Sequence, residues 1–390
     1  MTGRRRDVDW LRAGAVYLLL LFHSARPFDS EDWHIKDADR PAAVDLLSGG
    51  ISQWHMPLLF VLAGWALVPS LERRGPEGFM RERRDRLLVP FAFGTVALIP
   101  LARYAELRHK DEADDSFLEF LPTFFTGLDR FTWMHLWFLI YLYVFTALYL
   151  PALRRVHARG WRVESVPPWA LYAAIVPLAA VQIALRGRWP GYQNLYDDWA
   201  NFAYYSLFFV AGFLLACYPA VERAVHRERA RAGAIGIAAL LAMAVLVGGG
   251  VPDAGTPAWI ALQGLSAVAA VGVVAAALGY GAKLLSGRER GLAYARESAL
   301  PVYVLHQPII IGLALPIVGM SAGVPVKLGL LLAASTATTL AAYHAARRSP
   351  ALLRLLGARP AAASRRGAAS RSSRRAARSR GLLRRATTRS

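Results

Sequence analysis

Three histidines stand in apolar stretches, where an ionisable side chain is costly. His23 closes the run from Ala13 to Phe22, His55 sits in Gln53-Trp54-His55-Met56-Pro57, and His306 sits in Tyr303-Val304-Leu305-His306-Gln307-Pro308. Titratable groups at membrane depth cost several kcal/mol and mark functional positions by default. An imidazole can remain neutral there, and its ordinary pKa near 6.5 suits proton abstraction. His23 lies about 20 Å beyond Trp10 at a rise of 1.5 Å per residue, in the outward half of its helix. General-base chemistry is what it offers, and a hydrogen bond to a neighbouring helix is the structural alternative. His306 shares a polar break with Gln307 and Pro308, so the two readings stand level there. His55 at a helix start, and His34 and His135 at the outer surface, read first as interfacial packing.

Other chemistries are excluded by pattern. The sequence has no HExxH and none of the HxxxH or HxxHH spacings of membrane di-iron enzymes, so no metal site is expected. GxSxG, SxxK and a Walker A loop are also missing, which removes the familiar serine nucleophiles and an ATP-driven pump. Cys217 is the single cysteine, leaving no disulfide, Cys-based zinc site or CxxC redox pair. Arg83 and Arg86 stand at i, i+3 ahead of Pro90, a spacing that places both on one helix face. Paired guanidinium groups bind phosphate in bidentate geometry, although any loop on the cytoplasmic side collects arginines.

The elements that must position these groups are helices in a bilayer. Of 390 residues 55% are hydrophobic and 19% charged, with a mean hydropathy of +0.31. The apolar residues come in runs of about twenty, each long enough to cross a hydrocarbon core of about 30 Å. Ten spans are expected, near 10–27, 51–70, 88–105, 134–153, 167–186, 200–219, 233–251, 258–282, 297–317 and 326–346. Basic residues concentrate in alternate segments: Arg4 to Arg6, then 71–87, 154–166, 220–232, 283–296 and the tail. The intervening loops are poor in Lys and Arg, and two are acidic, at 29–45 and 111–115. Lys/Arg enrichment marks the cytoplasmic side, so both termini are expected inside. The expected fold class is therefore all-α, a polytopic integral membrane protein of about ten transmembrane helices.

The formal charge of +19 is uneven. Fourteen arginines and no acid lie between Arg347 and Ser390, so the other 346 residues carry only +5. Two regions are expected: a membrane domain over 1–346 and a basic, disordered cytoplasmic tail over 347–390. Such a tail is drawn to anionic lipid head groups, and no nucleic-acid partner is expected.

Five ordered elements carry a family resemblance. The first is Asp9-Trp10-Leu11-Arg12 followed, after ten intervening residues, by His23. The second is the aromatic-rich run from Trp54 to Gly64, in which Ala63 stands where the family has Ser. Arg83-x-x-Arg86, His135-Leu136-Trp137-Phe138-Leu139, and Ser298 through Pro308 complete the set. The chain resembles the membrane acyltransferase-3 family, whose members O-acylate extracytoplasmic glycans, and is most similar to the glucan succinyltransferase-like branch. The elements cover about residues 7–310; the Arg-rich tail has no counterpart in the pattern.

The resemblance implies an enzyme of the bacterial plasma (inner) membrane, multi-pass, with acyl-CoA as co-substrate and no bound cofactor. An acetyl or succinyl group would pass to a hydroxyl of a glycan or glycoconjugate. Arg12, Arg83 and Arg86 would hold the CoA phosphates. His23 would act either as general base toward the sugar hydroxyl or through an acyl-histidine. Trp54, His55, Trp137, His306 and Gln307 would contact the substrate or the oxyanion. The competing class is a proton-coupled secondary transporter. Inverted repeats and deep carboxylates would favour it, and the sequence shows neither a repeat nor many such acids.

Overall fold

The computed structural model describes residues 5–127 and 129–358, so Arg4 and most of the basic tail lie outside the described residues. Of the described residues 77% are helical and none lies in a strand. Among the described residues seven helices are long and apolar enough to cross a membrane, or eight when one bent pair counts as a span. They are α2 (Ala42–Trp65), α7 (Trp137–Ala158), α10 (Trp199–Cys217), α11 (Pro219–Val247), α12 (Pro257–Leu285), α13 (Leu292–Val318) and α14 (Val324–Ala346).

The bent pair runs through α3 (Leu67–Arg83), a π turn (Arg84–Leu88) and α4 (Val89–Ala97) into α5 (Ile99–His109), with a 42° bend at Leu98. Pro100, which opens α5, has no N–H to carry the ladder across that bend. Each of the ten expected stretches coincides with helix, but two differ from a plain span. α1 (Arg6–Ala25) opens with Arg6, Asp7, Asp9 and Arg12 and so carries a polar first half. The stretch at 167–186 is broken into α8 (Trp169–Ala173) and α9 (Ile175–Leu185). α2 starts nine residues before its expected boundary, because Asp45, Ser48, Gly49 and Gly50 hide a helical turn from a hydropathy reading. The remaining elements are short, α6 (Phe117–Thr126) and α15 (Pro350–Leu355). α15 packs on α4 with Leu353 and Leu356 buried, so order continues beyond the expected boundary at 346; of the tail, 359–390 lie outside the described residues.

Helix α1 is the axis of the site. It packs along α13 and against α2, α12 and α14. Short polar side chains tie these contacts: Tyr17 to Ser298 at 2.7 Å and Ser24 to Ser335 at 3.3 Å. Close approach matters more where α2 crosses α10. A Cβ on Gly64 would stand 1.9 Å from the Phe209 carbonyl oxygen, and one on Gly212 would stand 1.9 Å from that of Val61. Between apolar helices in lipid, such small-residue contact is the main source of packing energy.

Candidate active site

The π turn at Arg84–Leu88 has a local cause. Pro90 lacks the N–H that would bond the Arg86 carbonyl, and its ring crowds that carbonyl. The ladder widens instead, and the Val89 N–H reaches the Arg84 carbonyl. This alters the expected common face of Arg83 and Arg86. Arg83 turns inward, half-buried with its guanidinium 5.0 Å over the Phe79 ring, while Arg86 is exposed. Arg83 nevertheless lies within electrostatic range of both Arg12 and Arg86. Arg12 is partly buried, donates to the Leu62 carbonyl at 3.0 Å and stands 3.8 Å from Asp9. Arg83 is thus the arginine that links the first half of α1 to the π turn.

Eleven residues along α1 from Arg12, about 16–17 Å by the helical rise, His23 meets a cluster of imidazoles. Its ring centroid lies 5.1 Å from that of His306, and His306 lies 4.9 Å from His135. Proline again explains the geometry. Pro308 removes the N–H that would bond the Val304 carbonyl, and His135 Nε2 donates to that carbonyl at 3.2 Å. The Tyr303 hydroxyl donates back to the His135 carbonyl. These two bonds clamp the 3-10 turn Met134–Leu136 onto α13. His135 is thus buried inside the cluster, contrary to its expected place at the outer surface.

The end of α1 at His23 is covered by the loop that follows the helix. Trp33 stacks on the His23 ring, centroids 6.2 Å apart and planes 24° from parallel. Lys36 holds the loop closed by donating to the Arg26, Asp29 and Glu31 carbonyls and to Asp29 Oδ1. Burial pulls the Lys36 ammonium below the usual lysine range, and the Asp29 carboxylate opposes that pull. Asp29, the nearest acid in sequence to His23, is fully buried but is committed to Arg26 and Lys36. His34 joins loop to bundle: its Nδ1 stands 2.8 Å from Glu106 Oε2, and its Nε2 accepts from the Gln307 amide at 2.9 Å. The expected surface position of His34 is therefore corrected to a half-buried link.

The remaining expected contacts divide. His306 and Gln307 join the cluster. His55 is buried and spends its Nε2–H on the Ala15 carbonyl at 2.7 Å. A neutral imidazole has one N–H, so His55 has none left for an oxyanion. Trp54 lies edge-on to His55, with ring centroids 6.2 Å apart. Trp137 is buried among Phe60, Tyr141 and Tyr205, outside the histidine cluster. Trp33 and Glu106 were not singled out by sequence; Trp33 follows two acids in an outer loop and carries no periodic signal. Among the described residues no group of three or more His, Cys, Asp or Glu could hold a metal ion.

The arrangement offers a cluster of cations and a cluster of imidazoles at two points along one helix. An acyltransferase domain, acyltransferase-3, matches residues 5–344. No curated protein and no solved structure matches the chain. With the match covering nearly every described residue, the chain belongs to the membrane acyltransferase-3 family and is a multi-pass membrane acyltransferase.

Proposed function

We propose that this acyltransferase takes its acyl group from cytosolic acyl-CoA and places it on a hydroxyl of an extracytoplasmic glycan or glycoconjugate. The observation that carries the reading is the disposition of Arg12 and His23 on one helix. Their separation, about 16–17 Å along the axis, approximates the reach of a pantetheine arm. CoA phosphates would sit among Arg12, Arg83 and Arg86, and the thioester would arrive at His23.

In the step itself, His23 Nε2 takes the proton of the acceptor hydroxyl while that oxygen attacks the thioester carbonyl. The tetrahedral intermediate collapses with cleavage of the C–S bond, and His23 returns the proton to the departing thiolate. No net proton enters or leaves. Trp33, stacked on His23, forms the outer wall against which the sugar would lie.

The proposed topology is ten spans with both termini inside and α1 leading outward, in the bacterial plasma membrane. A reporter fused after Pro27 should then appear outside and one after Gly75 inside. Acetyl and succinyl are the two acyl groups in view, succinyl being suggested by the branch the sequence resembles. Mass spectrometry of surface glycans from cells with the wild-type protein, His23→Ala and no protein tests the function. Acylated glycan in the first alone supports the proposal; identical glycans in all three contradict it.

A further inference from the structure

The general base lacks the carboxylate that usually orients a catalytic imidazole, and the hydrogen-bond inventory around it supplies a substitute. A backbone carbonyl can only accept, so any ring nitrogen bonded to one carries the proton. His306 Nδ1 lies 2.7 Å from the Tyr303 carbonyl, so its Nε2 is bare. His135 uses Nε2–H on Val304, so its Nδ1 is bare. His55 uses Nε2–H on Ala15. The Tyr303 hydroxyl is spent on the His135 carbonyl, and the Gln307 amide is turned to His34.

Three ring nitrogens of the cluster, His306 Nε2, His135 Nδ1 and His23 Nδ1, are buried without a hydrogen-bond partner, as is Gln307 Oε1; of the two bare rings, His306 is the one in ring contact with His23. An acceptor left unsatisfied in the interior is costly, because it loses its bond to water and gains none in return. Of the imidazoles around His306, His23 alone has an N–H not already committed. At a centroid separation of 5.1 Å, edge nitrogens of two rings can meet at a hydrogen-bond distance of about 2.9 Å after a small ring rotation.

We propose that His306 is the positioning residue of this enzyme: its bare Nε2 accepts a hydrogen bond from His23 Nδ1–H and so fixes the tautomer that presents a bare His23 Nε2 to the acceptor hydroxyl. The inference rests on His23 being the base. A neutral imidazole here does what a carboxylate does in soluble triads, without placing a second charge at membrane depth. It also explains why His306 is held so firmly: the residue is fully buried, and its Nδ1 is tied to the backbone one turn back. Pro308, by freeing the Val304 carbonyl for His135, fixes the third ring against its other side.

The test uses full-length protein reconstituted in lipid with ring-15N-histidine, the His23 signal being assigned by its loss in His23→Ala. Wild-type His23 should be protonated at Nδ1, and His306→Leu should shift it toward the Nε2–H form. His306→Leu should also lower kcat by about 10²–10⁴, the range for a base left in the wrong tautomer, with little change in the KM for acyl-CoA. His306→Gln, whose side-chain oxygen can occupy the Nε2 position, should recover most of the rate. An Nε2–H tautomer in the wild type overturns the proposal, even if His306→Leu fails to fold. So does a folded His306→Leu enzyme with kcat within about threefold of wild type. Should His23→Ala retain transfer, the base assignment itself fails, an outcome distinct from an inactive His23→Ala beside an active His306→Leu.

Discussion

Lys327 Nζ lies 2.8 Å from Asp37 Oδ2, with both side chains buried and the two residues 290 positions apart in sequence. The same ammonium donates to the Val318 carbonyl at 2.9 Å. This pair fastens the loop that covers His23 to α14 at the far end of the chain. Together with the His34–Glu106 contact it decides how the outer wall of the site is held.

Breaking a buried pair leaves one charge without compensation, at a cost of about 3–5 kcal/mol, more than the pair itself contributes. Lys327→Met should therefore lower thermal stability clearly, and Asp37→Asn combined with Lys327→Met should recover a large part of the loss. Thermal unfolding of the wild type and these two variants in detergent measures this. Equal loss in the single and double variants would contradict the pairing.

The α2–α10 crossing predicts a sharper effect. Gly64→Ala would drive a methyl group to 1.9 Å from the Phe209 carbonyl oxygen, which backbone atoms cannot avoid without separating the helices. Destabilisation should exceed about 3 kcal/mol, beyond usual overpacking. Gly14→Ala, with nothing within 4 Å of the added carbon, should be neutral or gain up to about 1 kcal/mol of helix propensity. Size-exclusion behaviour and unfolding temperature distinguish the two.

Much of this architecture was legible in the sequence because a bilayer imposes one rule: apolar runs of sufficient length become helices. The Arg12-to-His23 spacing is equally readable, since both residues lie on one helix. The cover over His23 was not. Asp37 with Lys327, His34 with Glu106 and Gln307, and His135 with Val304 join residues 72 to 290 positions apart, and no local pattern encodes them. His135 is instructive. Its motif was recognised, but only the three-dimensional fold shows that Pro308 leaves a carbonyl for it. The inward turn of Arg83 was likewise hidden, because an i, i+3 argument assumes an α-helix and Pro90 forces a π turn.

That inward turn makes a kinetic prediction. Arg83→Ala with Arg86→Ala should raise the KM for acyl-CoA by roughly 10–100-fold, as loss of one or two charge-assisted hydrogen bonds requires. The KM for the acceptor should change far less. Steady-state kinetics with each substrate varied in turn measures the split. An unchanged KM for acyl-CoA would return both arginines to a purely topological role.

The central claim is that a single imidazole on α1 performs the transfer. Wild-type protein and His23→Ala, reconstituted in lipid with acyl-CoA and a hydroxylated glycan, provide the most direct measurement: release of free CoA thiol matched to acylated product. The account predicts stoichiometric release and product from the wild type and neither from His23→Ala, with both proteins folded to the same helix content. Near-normal product from folded His23→Ala would contradict it.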